Sequence, residues 1–244
     1  MEFPTDRSTS AAFEADRHGL SRQAFEPELG HLPNGPDSHA VPKEAITKTG
    51  TTTVGLTTPD GVVLATDRRA SAGRMVSSKT VQKVEEIHPT GALTIAGMVS
   101  AAQSLIQSIR AETSLYEVRR GEEMSMQALS TFTGNILRTG AFLIVQPVLG
   151  GVDDDGPHVY SIDPLGGTME EDYTVSGSGS PFALGLLEQE YEQGLSLEEA
   201  RTVAARAIES ASERDTASGN GLAVATVTED GVEITIHEDI DSIV

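Results

Sequence analysis

At Gly50 the chain changes character. Residues 1–50 hold five of the eleven prolines (Pro4, Pro27, Pro33, Pro36 and Pro42), three of the six histidines and no sustained apolar period. Beyond Gly50, apolar residues alternate and cluster as they do in strands. A segment without periodicity has no face to bury, so the leader reads as flexible and the fold must be built from 51–244. Those 194 residues are the size of a single domain. The boundary itself, Gly50-Thr51-Thr52-Thr53-Val54-Gly55, sets a glycine directly before a threonine. Cleavage between Gly50 and Thr51 would leave Thr51 with a free α-amine beside its own hydroxyl, so that one residue supplies nucleophile and base. The plain alternative is that three threonines open a β-strand, which threonine favours.

Composition narrows the chemistry. The chain has no cysteine, which excludes disulfides, zinc–thiolate sites and cysteine nucleophiles and turns attention to Ser and Thr. No apolar run approaches membrane-spanning length, and the N-terminus lacks the apolar core of a secretory signal, so the expectation is a soluble, cytoplasmic protein. The net charge is −20, and only four of the 17 basic residues are lysines: Lys43, Lys48, Lys79 and Lys83. Such a surface stays hydrated where salt screens like-charge repulsion, which points to a high-salt cytoplasm. It also argues against nucleic acid and anionic membranes as partners.

The pattern beyond Gly50 predicts a hairpin, Thr53–Thr57 and Val62–Asp67 about a Pro59-Asp60-Gly61 turn. Ala92–Gly97 reads as a buried strand. A helix is expected from about Ala101 to Arg120, with Ala102, Leu105, Ile106 and Ile109 on one face and Gly121 as its stop, and a second over Ser125–Arg138. Strands are expected at Phe142–Leu149, Val159–Ile162 and Tyr173–Ser176. Ser180-Pro181 should cap a helix ending near Gly194. Ser196-Leu197-Glu198-Glu199 is a capping box for another, whose apolar stripe is Ala200, Val203, Ala204, Ala207, Ile208 and Ala211. Leu222–Val227 and Val232–Ile236 close the chain across Thr228-Glu229-Asp230-Gly231. Strands, helix pair, strands, helix pair and strands again imply sheets packed between helical layers.

If Thr51 is a nucleophile, it needs help to lose its proton. Asp67, ending the second strand, and Lys83, a short connection later, would place positive charge at the hydroxyl if buried together; an exposed ion pair is the alternative. Gly97, between strand and helix, could offer an unhindered N–H to an oxyanion, or simply end a strand. Ser176-Gly177-Ser178-Gly179-Ser180 lacks the lysine of a phosphate-binding loop and reads as a polar turn presenting Ser178. Asp215 and Ser218 lie three apart in a turn and could share one hydrogen-bonding target, or form an ordinary helix end. His88, His158 and His237 are isolated in sequence, and no grouping has metal-ligand spacing.

Taken together, these stretches resemble the archaeal proteasome β subunits, of the N-terminal nucleophile hydrolase class, and in particular haloarchaeal ones. The resemblance is carried by Thr51-Thr52-Thr53-Val54-Gly55, Ala65-Thr66-Asp67-Arg68-Arg69, Thr94-Ile95-Ala96-Gly97, Gly150-Gly151-Val152-Asp153, Gly177-Ser178-Gly179-Ser180-Pro181-Phe182 and Arg214-Asp215-Thr216-Ala217-Ser218-Gly219. It implies an α+β fold, a four-layer αββα sandwich with two antiparallel sheets between helical layers. It implies a propeptide over 1–50, removed by self-cleavage between Gly50 and Thr51, and a catalytic domain over 51–244. By resemblance Thr51 is the nucleophile, Asp67 and Lys83 the charge pair that activates it, Ser178, Asp215 and Ser218 the groups about its amine, and Gly97 the oxyanion donor. Ala70, Val81, Ile95 and Val99 would line the substrate pocket. All four are apolar, which favours cleavage after hydrophobic residues, while Glu85 nearby could admit some basic ones. No cofactor and no metal are expected. It implies heptameric β rings closed by α-subunit rings, unfolded proteins as substrates and a regulatory ATPase as an indirect partner. A non-catalytic ring subunit would typically lose the processing glycine, the threonine or the lysine, and this chain keeps Gly50, Thr51 and Lys83. A free-standing amidase of the same class would not need so extended a match.

Residues 51–244 carry 29 acidic and 12 basic side chains, a net charge of −17 per subunit. In dilute buffer, where the Debye length is of order 30 Å, repulsion reaches across whole subunit faces; near 1 M salt it shrinks to about 3 Å. An assembled particle should therefore dissociate or lose activity on dialysis into dilute buffer and persist in concentrated salt. Sedimentation across a salt series measures this, and equal integrity at both extremes would contradict it.

Overall fold

The computed structural model describes residues 50–139 and 145–243. Period-two apolar alternation and a two-residue turn give the first hairpin, β1 (Thr52–Thr58) against β2 (Gly61–Asp67), closed at the Thr58–Gly61 pair. A short hairpin of β3 (Ala70–Ala72) and β4 (Met75–Ser78) follows, then β5 (Val84–His88) and β6 (Gly91–Thr94). The helices α1 (Val99–Arg120) and α2 (Met126–Arg138) precede β7 (Val148–Asp153), β8 (Gly156–Ile162), β9 (Thr168–Glu170) and β10 (Tyr173–Gly177). The helices α3 (Ser180–Glu190) and α4 (Leu197–Ser212) lead to β11 (Leu222–Thr228), β12 (Gly231–His237) and a 3₁₀ turn at Ile240–Ser242.

Two five-stranded antiparallel sheets result, in the orders β10-β1-β2-β11-β12 and β5-β6-β7-β8-β9. Three apolar layers hold four structural layers together. Ile87, Leu93 and Leu149 of one sheet meet Leu105, Ile109, Leu129 and Leu137 of α1 and α2. Val54, Leu56, Val63 and Ala65 of the other meet Leu187 of α3 and Val203, Ala207 and Ile208 of α4. Between the sheets lie Val62, Leu64, Val148, Val159, Ala223 and Ala225. The alternation along β2 explains the arrangement: Val62 and Leu64 point to the opposite sheet, Val63 and Ala65 to the helices. Because both faces are covered, every residue of β2 is buried. This is the expected α+β αββα sandwich. Among the described residues, no helix is long and apolar enough to cross a membrane.

Local signals hold where they are strong. Gly121 takes the left-handed conformation (φ 73°) that ends α1, its N–H donating to Glu117 O. The capping box at Ser196 and Glu199 is made in both directions. Elsewhere tertiary packing overrides them. The strand expected at Phe142–Leu149 runs instead over Val148–Asp153, and 140–144 lie outside the described residues. Gly150 and Gly151 sit inside β7, where a Cβ at Gly150 would press on Val62 and Leu64 and one at Gly151 would fall on Met126 Sδ. The strand expected to Gly97 stops at Thr94, α1 begins at Val99 rather than Ala101, and Met98 caps it. Ser180 is the first residue of α3, not its cap; its hydroxyl donates to Gly177 O at 2.7 Å, and Gly179 caps without a side chain. That helix stops at Glu190, since Tyr191 turns extended to pack its ring 4.9 Å from Tyr173 and hydrogen-bond Thr57. His158, isolated in sequence, is bracketed by Glu170 (2.6 Å) and Asp153 (3.1 Å). Burial alone would lower its pKa, but those hydrogen bonds and charges outweigh burial and raise it.

The two sheets approach closely because a glycine on each leaves room for side chains from the other. A Cβ on Gly55 would stand 2.9 Å from Leu64 Cδ2 and Val148 Cγ1, and one on Gly150 would stand 2.7 Å from Val62 Cγ1. Gly55→Ala and Gly150→Ala should each destabilise by about 1–3 kcal/mol through overpacking. Gly185→Ala in α3, where an added Cβ meets nothing within 4 Å, should stabilise by about 0.5–1 kcal/mol. Thermal unfolding of the three variants checks this ordering.

Candidate active site

The start of β1 is flanked by β2 on one side and β10 on the other, so the ends of those strands and the turns beyond them converge on it. Thr51, immediately before β1, is 4% exposed, and Thr52 is fully buried. Asp67 comes from the last position of β2. Ser178 comes from the turn between β10 and α3, and Asp215 and Ser218 from the turn between α4 and β11. Lys83 comes from the other sheet, just ahead of β5, where its carbonyl accepts the Ile95 N–H at 2.7 Å.

Lys83 Nζ lies 2.7 Å from Asp67 Oδ1 and 3.0 Å from Thr51 Oγ1. Both partners of the ion pair are buried, which rules out the exposed surface pair that spacing alone leaves open. The Asp67 carboxylate also accepts the N–H groups of Thr52 (3.0 Å), Arg69 (3.0 Å) and Gly219 (2.9 Å). Burial pushes the Lys83 amine below its ordinary pKa, and the adjacent Asp67 charge offsets part of that. Burial likewise pushes the Asp67 carboxyl up, against the opposing pull of Lys83 and of the amides of Thr52 and Gly219. The Thr51 hydroxyl, the third member, receives the lysine's hydrogen bond and donates its own to Gly50 O at 2.6 Å. The group with the proton to lose thus touches both a cation and the carbonyl of the preceding peptide.

A second network closes round the Thr51 nitrogen. Its N–H donates to Ser178 Oγ at 3.2 Å, and the Ser178 hydroxyl donates to Asp215 Oδ2 at 2.6 Å. The Ser218 hydroxyl donates to the same oxygen at 2.7 Å and lies 2.7 Å from Thr52 Oγ1. With two hydroxyl protons directed at one carboxylate, the Ser178 oxygen is left as an acceptor facing Thr51. Gly177 makes room for this: its φ is 95°, and any Cβ there would fall on Thr51 O. Gly50 is confined as well, since a Cβ would collide with Ala217 and stand 2.7 Å from Ser178 Oγ. Lack of space is therefore a reason for glycine at this position.

Thr51 and Lys83 open onto a cavity of about 680 Å³. Ala70, Val81, Ile95 and Val99, the four expected pocket residues, all line it, as do Gly50 and Gly97. The Ala96 carbonyl accepts the Gln146 N–H at 2.8 Å. In a trans peptide the N–H of the next residue points the opposite way, so the Gly97 N–H is turned from that segment. All residues proposed from sequence thus fall in two linked networks and one cavity. Sequence reasoning missed Ser71, whose Oγ accepts the Gly50 N–H at 3.3 Å, and Thr52, which bridges to Ser218. It also missed Arg69, which spans to Asn220 Oδ1 (2.9 Å) and Thr216 O (2.8 Å) and braces the turn holding Asp215. The one sequence signal for Arg69 was its place directly after Asp67-Arg68.

The family profile described as "Proteasome subunit" matches residues 47–227. The chain is 70% identical over 227 residues to a proteasome subunit beta of Haloquadratum walsbyi, covering 93% of each chain. It is 62% identical over 243 residues to one of Haloferax volcanii, covering 100% of each, and 63% identical over 230 residues to one of Halorubrum lacusprofundi, covering 94% of this chain and 95% of that one. By profile and by identity the chain belongs to the proteasome subunit family, as a β subunit of the haloarchaeal kind.

Proposed function

We propose that this threonine peptidase of the proteasome core acts through Thr51, first on its own chain and then on unfolded proteins. The observation that carries the reading is the Lys83 ammonium, held by Asp67 at 2.7 Å and hydrogen-bonded to Thr51 Oγ1 at 3.0 Å in a buried site. Positive charge there lowers the free energy of the Thr51 alkoxide. In the intact chain the hydroxyl already contacts the Gly50 carbonyl. Attack on that carbon forms an ester to Oγ1 as the Gly50–Thr51 C–N bond breaks and the nitrogen takes a proton. Water then hydrolyses the ester, releasing residues 1–50 with a new carboxylate and leaving 51–244 with a free Thr51 α-amine. The family profile begins only at residue 47, in keeping with a leader outside the catalytic domain.

In the processed chain the amine lies beside Ser178, with Asp215 and Ser218 behind it. It accepts, through water, the proton that Thr51 Oγ1 gives up on attacking a substrate carbonyl. The Gly97 N–H receives the developing oxyanion. The leaving amine departs protonated, and water hydrolyses the acyl ester. The apolar walls at Ala70, Val81, Ile95 and Val99 favour cleavage after hydrophobic residues.

As a β subunit, the chain assembles with α subunits in the proteasome core. We propose heptameric β rings capped by α rings, supplied with unfolded chains by a regulatory ATPase in a salt-rich cytoplasm. Exposed apolar side chains such as Met75, Val118, Leu165 and Met169 suit a subunit that buries surface in an assembly.

Intact mass should give a mature chain beginning at Thr51. Thr51→Ala should leave the leader attached and abolish hydrolysis of a fluorogenic hydrophobic peptide, Thr51→Ser should keep part of both, and Lys83→Ala should lose about a thousandfold or more. Any other mature N-terminus, or full activity in Thr51→Ala, would overturn the mechanism. The pH profile tests the charge. With its pKa lowered, Lys83 gives up its proton below the ordinary lysine value of 10.5, so peptidase activity should fall on an alkaline limb below that pH. Asp67→Asn removes the charge that supports the ammonium and should move that limb further down.

A further inference from the structure

Two walls of the cavity run side by side from Thr51. Along one lie Val81, Gln82 and Lys83, just ahead of β5, and Glu85 within it. Along the other, Val99, Gln103, Ile106, Gln107 and Arg110 follow at helical spacing on α1. The walls meet where Arg110 Nη2 lies 3.1 Å from Glu85 Oε2. The guanidinium is fixed a second time by its Nε, which donates to the Glu86 carbonyl at 2.7 Å. Two residues beyond Lys83 on an extended chain is about 7 Å. A long side chain on the residue whose carbonyl is attacked would therefore pass Lys83 and arrive at this pair. Among the described residues that line the cavity, Glu85 is the only acidic one.

We propose that Arg110 is a specificity-determining residue: by occupying Glu85 it cancels that negative charge and closes the pocket to basic side chains. The bare sequence leaves Glu85 free to attract lysine or arginine. With the carboxylate engaged, an entering cation must displace the guanidinium, and an entering carboxylate must displace Glu85, while an apolar group displaces neither. Recognition is thus set partly by repulsion built into a neutral pair. The pair is partly exposed, so molar salt weakens its attraction, while the bond from Arg110 Nε to the Glu86 carbonyl still holds the guanidinium beside Glu85.

The proposal rests on the peptidase reading above, and the test separates the two. Assembled particles carrying wild-type β chain, Arg110→Gln, Glu85→Gln or both are assayed in molar salt on three peptides differing only in a Leu, Arg or Glu at the attacked carbonyl. Only preparations whose β chains begin at Thr51 by intact mass are compared. Arg110→Gln should raise the kcat/KM ratio for Arg over Leu about fivefold, the size of a partly exposed ion pair. Glu85→Gln should raise Glu over Leu by a similar factor, and the double variant should do neither. Should Arg110→Gln fail to assemble, the Glu85→Gln arm decides. Ratios unchanged in variants that cleave would overturn the role of Arg110 and leave the mechanism standing. A processed wild-type particle that cleaves none of the three peptides would instead overturn the peptidase reading.

Discussion

The Asp67 carboxylate is the point on which the rest of the site depends. It is fully buried and collects four donors from four places: the head of β1, its own following turn, the turn before β11, and Lys83 from the opposite sheet. A buried ion pair of this sort seldom adds net stability, because desolvation costs about as much as attraction returns. Its effect here is positional. One carboxylate aligns the strand that begins at Thr52, holds the Gly219 turn against β2, and fixes an ammonium at the Thr51 hydroxyl. Removing it would leave Lys83 buried without a counter-charge and three backbone N–H groups without their acceptor.

Lys83 can reach that carboxylate only because the sheets lie close. Gly55 and Gly150 leave no side chain in the gap where Leu64, Val148 and Val159 pack. Small residues in the middle of strands, unfavourable by propensity, are here the condition for packing two sheets face to face. The same economy of space recurs at the site, where Gly50, Gly177 and Gly179 stand at contact with Ala217, Thr51 and Thr52. The geometry about Thr51 and the packing of the core therefore rest on one steric requirement.

The two networks round Thr51 divide the labour. Lys83 and Asp67 act on its oxygen, and Ser178, Asp215 and Ser218 surround its nitrogen. They are joined through Thr52, whose N–H goes to Asp67 and whose hydroxyl goes to Ser218. Thr51 and Thr52 thus make distinct contacts, and the run of threonines that could pass for ordinary strand sequence joins two hydrogen-bond networks where β1 begins.

Short-range signals were legible in the chain itself. The β1–β2 hairpin, the stop at Gly121, the capping box at Ser196 and the apolar stripe of α4 all follow from interactions within a few residues, and those features stand in the fold. The short strands β3, β4, β5 and β9 were not legible, having too few residues to display a period, and β7 was hidden because its glycines answer to Val62, Leu64 and Met126 from elsewhere. The same division runs through the site. Residue types and motif order named Thr51, Asp67, Lys83, Ser178, Asp215 and Ser218. That Lys83 and Asp67 are a buried pair, that Thr51 meets Ser178 across 127 positions and Thr52 meets Ser218 across 166, and that Arg110 occupies Glu85 were decided by tertiary structure. Sequence fixes local conformation through contacts a turn or two away, whereas the charge state and partner of a side chain depend on which strands are neighbours and how much water they exclude.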